Sequence, residues 1–327
     1  QGDLLETGGF RKAEHDVHVL HRLARGALHQ VIDDGEHHRD VAAARLARAR
    51  AHYEQLSYDS AIVVARRVLA QAHADGFAQS WNGQAPQAAY AWHSLATPAV
   101  PPAYPAVGAM RTFLVESGSN FRPAPPPALG SSRFLSDLAE VRKYNQSPIG
   151  ETTRLAKFYD MTTGTLVAGF WNERATEIIR EHSSAELEAA RILATMNAAI
   201  MDAVVACHDA KYAYWVPRPS QVDPSIRPLI GVPNHPSYPS NHSCVSTAAA
   251  HTLSYFFPHD RGRLEGIAAE AGVSRIYAGL HFRFDVDAGE EIGRKIAAVA
   301  ITRHPGMLAR WTQTLLTKNC SGKYPCN

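Results

Sequence analysis

Residues 183–219 read S-S-A-E-L-E-A-A-R-I-L-A-T-M-N-A-A-I-M-D-A-V-V-A-C-H-D-A-K-Y-A-Y-W-V-P-R-P. Leu187, Ile192, Leu193, Met196, Ile200, Ala203, Val204 and Cys207 recur at helical spacing and build one broad apolar face. Ser183-Ser184-Ala185-Glu186 offers an N-cap with an acidic residue in the first turn. Pro217 stops the run near Trp215, because proline lacks the N–H that a helix interior requires. An amphipathic helix of this length has to bury its face against others, and strand signals are nearly absent elsewhere. The expected fold is all-α, a helical bundle.

Working upstream, Gly164–Glu181, Ile149–Phe158 and Ser132–Tyr144 also read as helices. From Ser80 to Ser132 the helical pattern fails in a Pro-, Gly- and Ser-rich stretch. Trp81, Trp92, Tyr104, Phe113 and Phe121 within it suggest a segment wrapped on the core rather than a free linker. Arg11 to about Ala74 reads as two or three helices interrupted near Gly35 and Ser57. His15, His18 and His21, with His37–His38, have spacing that can place metal ligands on one face. No cysteine joins them, and a polar helix surface is the preferred reading. The expected organisation is residues 1–145 as N-terminal helices and Pro-rich extension, packed on a catalytic helical-bundle core of residues 146–327 as one compact unit.

Hydrophobic residues are 45% and charged residues 20% of 327, an ordinary globular balance. The formal net charge of +2 makes no global case for nucleic acid. No apolar run approaches the roughly 18 residues of a spanning helix, so no membrane span is expected. The first residue is Gln1 rather than Met, which reads as a processed N-terminus and a secreted or periplasmic location. On that footing Cys320 and Cys326, flanking S-G-K-Y-P, are expected to close a small disulfide loop. Cys207 and Cys244 either bridge two helices or are small buried apolar residues, and burial is preferred.

The chemistry gathers downstream of the long helix. Lys211 and Arg218 close it, with Pro217 and Pro219 re-aiming the arginine. Pro233–Ser243 then reads P-N-H-P-S-Y-P-S-N-H-S and releases into a helix-compatible run. Ser240 stands at the N-cap, with Asn241 and His242 in the first turn, where unpaired backbone N–H groups favour an anion. Further on, Ser274-Arg275-I-Y-A-G-L-His281-F-R-F-Asp285 spaces His281 and Asp285 at i,i+4. On a helix the carboxylate would hold one imidazole nitrogen and leave the other basic. Arg275 offers a planar bidentate donor, and Arg283 reads as structural. The set points to an enzyme site for an oxyanion.

In order, K-x6-R-P, P-S-x-H and S-R-x5-H-x3-D resemble the type 2 phosphatidic-acid phosphatase and vanadium haloperoxidase superfamily over about residues 185–300. The Pro-rich S-N-F-R-P-A-P-P-P-A-L-G-S-S resembles the N-terminal extension of bacterial vanadium-haloperoxidase-like proteins. The resemblance implies that Lys211, Arg218, Ser240, the Asn241 N–H and Arg275 hold vanadate or phosphate. It implies that His281 bonds vanadium or phosphorus, that Asp285 orients His281, and that His242 is the general acid/base. His235, seven residues before His242, resembles the second histidine of bromide-oxidising members, a halide-side role. Two departures stand out: Asn241 where the family usually has Gly, and Pro217 where many haloperoxidase-like members have Trp. The leading expectation is a vanadate-dependent haloperoxidase acting on hydrogen peroxide and halide. The alternative is a metal-free acid phosphatase working through a phosphohistidine on a phosphomonoester; the P-R-P and D-V-D-A-G stretches look closer to secreted phosphatases. A binding protein without turnover and a zinc hydrolase rank below both. The Pro-rich wrap would also serve as an arm of a homodimer.

Overall fold

The computed structural model describes residues 73–317, except 78, 80, 82, 89, 148 and 162–165, together with the isolated positions 66 and 70; side chains are described as far as residue 303. The expected helices before Ala74, the His15/His18/His21 and His37–His38 sets and the Cys320–Cys326 loop lie outside these residues, save the last positions of the first. Among the described residues from 132 onward, seven helices longer than one turn follow one another: α1 Ser132–Gln146, α2 Gly150–Phe158, α3 Leu166–Glu181, α4 Glu186–Tyr214, α5 Asn241–Phe256, α6 Arg261–Tyr277 and α7 Arg283–Thr317. A single helical turn spans Pro219–Val222. No strand occurs among the described residues.

Helix α4 is the axis. From Thr195 to His208 every residue is buried, polar Asn197, Asp202 and His208 included, so the helix is enclosed on all sides rather than on one face. By length and mean hydropathy (1.5) it could cross a membrane, contrary to the expectation that no segment came close; 78% of that window is buried inside the bundle. Two other details differ from the sequence reading. Ala185 is the N-cap and makes no side-chain cap, so Ser183 and Ser184 do not cap. Leu187 is 75% exposed, one turn short of the packed region.

Around α4 pack α5 and α7, joined by an unusually close approach. A Cβ added at Gly289 would lie 2.6 Å from the Ser240 carbonyl oxygen, and one at Gly293 2.6 Å from the Thr247 Cβ. Hydrogens alone let the α7 backbone sit against the start of α5. Cys207 and Cys244 face each other across α4 and α5 as buried free thiols with no bridge.

The Pro-rich extension is a tied wrap. Asp202 of α4 accepts the backbone N–H groups of Phe113, Leu114 and Val115 at 2.7, 2.7 and 3.0 Å. The extension also reaches the loops after α4. The Trp92 N–H donates to the Trp215 carbonyl at 2.8 Å, Ala103 N–H to Asn234 O at 2.8 Å, and Gln221 Nε2 to His93 O at 2.8 Å. Trp215 caps α4 in the left-handed region, φ 52°, flanked by the rings of Trp81, Trp92 and Tyr212.

Candidate active site

The stretch Pro233–Pro239 has three prolines in seven residues, each with a carbonyl but no N–H. That composition suits a buried ammonium. Lys211, fully buried at the end of α4, donates to the carbonyls of Pro236 and Ser237, both at 2.9 Å, and to that of Pro239. Three acceptors match the three ammonium protons, while burial pulls its pKa down to about 8. Lys211 therefore contributes its charge and the shape of the loop, with all three protons already placed on backbone oxygens.

Arg218 is extended, φ −73° and ψ 155°, as a residue before proline should be. Its guanidinium is fully buried and spans the site. Nε donates to His235 O at 3.1 Å, Nη1 to Leu280 O and His281 Nε2 at 3.0 Å, and Nη2 to His235 Nδ1 at 3.1 Å. Burial lowers its pKa to about 10, against the pull of Asp285.

An arginine can only donate, so His281 Nε2 is the acceptor and its proton is on Nδ1. Nδ1 donates to Asp285 Oδ2 at 2.9 Å. The pair is not carried on one helix as expected. His281 lies in the loop before α7, and Asp285, in the first turn, also accepts the Phe282 N–H at 3.0 Å. This capping bond sets the imidazole's approach to the carboxylate. Burial, then Arg218 and Lys211, hold the His281 pKa well below its usual value, so the ring is neutral with its lone pair on Nε2. Burial pushes Asp285 up to about 7, opposed by bonds from Ser237 and the Phe282 N–H. Behind this loop, Phe284 N–H donates to Asp137 at 2.9 Å and Arg283 pairs with Glu140 at 2.5 Å, both on α1. Arg283 is thus structural.

Ser240 caps α5, its Oγ accepting from Ser243 N–H at 3.5 Å, and its own N–H goes to the Asp285 carbonyl at 2.9 Å. Asn241 and His242 occupy the first turn, where backbone N–H groups have no intrahelical partner. The Asn241 Oδ1 is buried without a hydrogen-bond partner among the described residues. His242 Nε2 donates to the Tyr159 carbonyl at 2.8 Å, which leaves Nδ1 as the lone-pair nitrogen. Burial and then Arg275 keep its pKa well below the usual value.

Arg275, in the last turn of α6, donates from Nη2 to Ala156 O at 2.7 Å and from Nε to Ser274 Oγ at 3.0 Å. Burial lowers its pKa to about 10, with Asp160 opposing. The C-terminal turn of α2 thus supplies carbonyls to both Arg275 and His242. The sequence reading missed this turn, and no residue pattern announces it because the groups are backbone oxygens. It also missed Ser237, buried and 2.5 Å from Asp285 Oδ2; one polar residue among several between the loop's prolines, it carried no distinguishing signal. His235 sits behind Arg218, its ring 6.0 Å from that of buried His208.

Lys211, Arg218 and Arg275 are all buried; among the described residues Asp285 is the one fully buried carboxylate beside the first two, and Asp160 is partly buried beside the third. Isolated buried charges are costly unless paired. The set is short of negative charge, and a multiply charged oxyanion at the start of α5 would supply it.

Residues 190–306 match the model of the PAP2 superfamily. Over 171 residues, 50% of this chain, the sequence is 30% identical to a non-specific acid phosphatase of Providencia stuartii, spanning 66% of that protein's length. The fold resembles a bacterial vanadium-dependent iodoperoxidase (TM-score 0.67, 24% identity, 76% of this chain and 68% of that one). It also resembles a bacterial vanadium-dependent chloroperoxidase in its holo form (TM-score 0.61, 13% identity, 83% of this chain and 82% of that one).

Proposed function

Because this chain belongs to the PAP2 superfamily, we propose that it is a vanadate-dependent haloperoxidase, oxidising halide with hydrogen peroxide. The carrying observation is the buried excess of cations around a neutral His281 whose Nε2 lone pair accepts from Arg218, a bond that an oxyanion on the same guanidinium would replace. These residues fit vanadate: Arg218, Arg275 and the first-turn N–H groups of α5 would hold its oxygens, with Lys211 adding charge, and His281 Nε2 would bond the metal. Vanadate held there supplies the centre that activates peroxide for oxygen transfer to halide. His242 Nδ1 carries the lone pair able to take the proton of incoming peroxide, while its Nε2–H stays on Tyr159. Asp285 keeps the His281 proton on Nδ1. His235, in contact with Arg218 on the side away from His281, supports a halide-side role. The fold likeness extends over 76% of the chain, which supports this reading over one confined to the core.

A second reading, acid phosphatase, is favoured by the curated relative. His281 Nε2 would attack phosphorus, forming an N–P bond as the ester P–O bond breaks. The proton of a monoanionic phosphoester would pass through the His242 Nδ1 lone pair to the leaving alcohol, and water would then break the N–P bond and release phosphate. One experiment separates the two. Purified protein, with and without orthovanadate, is assayed for peroxide-dependent bromination and iodination of a phenol dye, beside hydrolysis of p-nitrophenyl phosphate. Halogenation that requires vanadate and disappears in His281→Ala is expected. Hydrolysis inhibited by vanadate, without halogenation, would replace the first reading with the second.

A further inference from the structure

Ser237 has no assigned role, yet its hydroxyl is buried against the centre of the site. Its Oγ lies 2.5 Å from Asp285 Oδ2, while its next contacts, Leu280 O and His281 Nδ1, are both at 3.5 Å. A hydroxyl has one proton, and the short contact to a carboxylate takes it. Asp285 Oδ2 therefore receives three donors: Ser237 Oγ, His281 Nδ1 and the Phe282 N–H. Asp285 Oδ1 is buried and receives none among the described residues. A carboxylate loaded on one oxygen and bare on the other would gain by rotating, because an unpartnered buried acceptor costs free energy. His281 and Phe282 approach from one segment of chain. Ser237 approaches from the loop after α4, so among the described residues it is the side-chain donor that fixes the carboxylate from a second direction.

We propose that Ser237 is a positioning residue that fixes the rotation of the Asp285 carboxylate, and through it the direction and tautomer of His281. The proposal deepens the functional reading, resting on His281 as the imidazole that bonds the central atom. The backbone of Ser237 does separate work: its carbonyl accepts from Lys211 at 2.9 Å and its N–H donates to Val216 O at 2.9 Å. Replacing the side chain leaves both, so the effect on His281 can be separated from a collapse of the loop.

The test uses the whole protein with Ser237→Ala and Ser237→Thr, the second keeping the hydroxyl. The first readout, taken without vanadate or substrate, is the NMR of ¹⁵N-histidine-labelled protein, assigned with His281→Ala. Wild type should show a downfield Nδ1 proton and a lone-pair Nε2 for His281. Ser237→Ala should shift the proton upfield and broaden it, with Ser237→Thr restoring the signal. The second readout is calorimetric binding of inorganic phosphate, expected to stay within about threefold of wild type, since Arg218, Arg275 and the Lys211 cage are untouched. The third is turnover, expected to fall about 10- to 100-fold in kcat with KM little changed, as for other groups that orient a histidine from behind. An unmoved His281 signal in folded Ser237→Ala overturns the proposal, whatever turnover does. So does a phosphate affinity that falls in step with activity, which marks a loop defect. A shifted, Thr-rescued signal in a protein with neither activity supports the Ser237 assignment and removes the functional reading instead.

Discussion

Gly289→Ala places one methyl group where α7 meets the start of α5. The new Cβ would be 2.6 Å from Ser240 O, 2.7 Å from Ser243 Cβ and 3.1 Å from Cys244 N. Two of these partners are backbone atoms of the helix start and cannot rotate away. Restoring an ordinary separation of about 3.4 Å at Ser240 O requires the helices to part by about 0.8 Å at this point. Overpacking of this kind costs about 1–3 kcal/mol of stability. The same shift moves the first-turn N–H groups and the Ser240–Asp285 backbone bond, which is 2.9 Å long. Misplacement near 1 Å in a reacting constellation costs on the order of 100-fold. The expected result is a phosphate or vanadate affinity reduced roughly 10- to 100-fold, with turnover reduced at least as much. Urea unfolding and calorimetric anion binding measure both. Gly266→Ala is the control: that glycine is exposed, mid-helix and has no heavy atom within 4 Å of an added Cβ. It should gain about 0.5–1 kcal/mol. If Gly289→Ala unfolds and binds anion like Gly266→Ala, the close approach of α7 does not set the site.

Asp202→Ala leaves three backbone N–H groups of the wrap without their acceptor and should cost about 3 kcal/mol or more in urea unfolding. Burial raises the Asp202 pKa to about 6, so its ionised form weakens the fold. The stability of wild type relative to Asp202→Asn should therefore rise as pH falls from above 6 towards 4 and be lost again as pH rises. Lys211 loses its proton near pH 8; phosphate affinity should be level below that and fall by up to about tenfold per pH unit above it. Asn241→Gly removes a buried, unpartnered Oδ1 at the helix start. It should tighten phosphate binding by about threefold, and a weaker affinity would show instead that the Asn241 amide donates to the anion.

Long-range sequence order carried much of the site. Lys211, Arg218, Ser240, Asn241, His242, Arg275, His281 and Asp285 span 75 residues, and Arg218, His281 and Asp285 meet directly. The bundle was legible because apolar residues recur at helical spacing over many turns before Pro217, although the expected single apolar face is buried all round from Thr195 to His208. What stayed hidden depends on distant backbone atoms. The α2 carbonyls holding Arg275 and His242 come from 119 and 83 residues away and carry no side-chain pattern. Ser237 is 48 residues from Asp285, and serine in a proline-rich loop reads as turn chemistry until the partner is seen. The serines before α4 misled in the opposite sense: Ser183 is in the left-handed region, φ 49°, and the helix starts beyond it. Asp202, which the sequence reading passed over, is the tether for a segment almost 90 residues upstream.

The most direct measurement is the stoichiometry and affinity of orthovanadate binding to purified wild-type protein, followed by calorimetry with phosphate as competitor. One vanadate per chain is expected, displaced by phosphate and lost in both His281→Ala and Arg218→Ala. Binding unaffected by those two substitutions, or no binding of either anion at millimolar concentration, would contradict an oxyanion site built on Arg218 and His281.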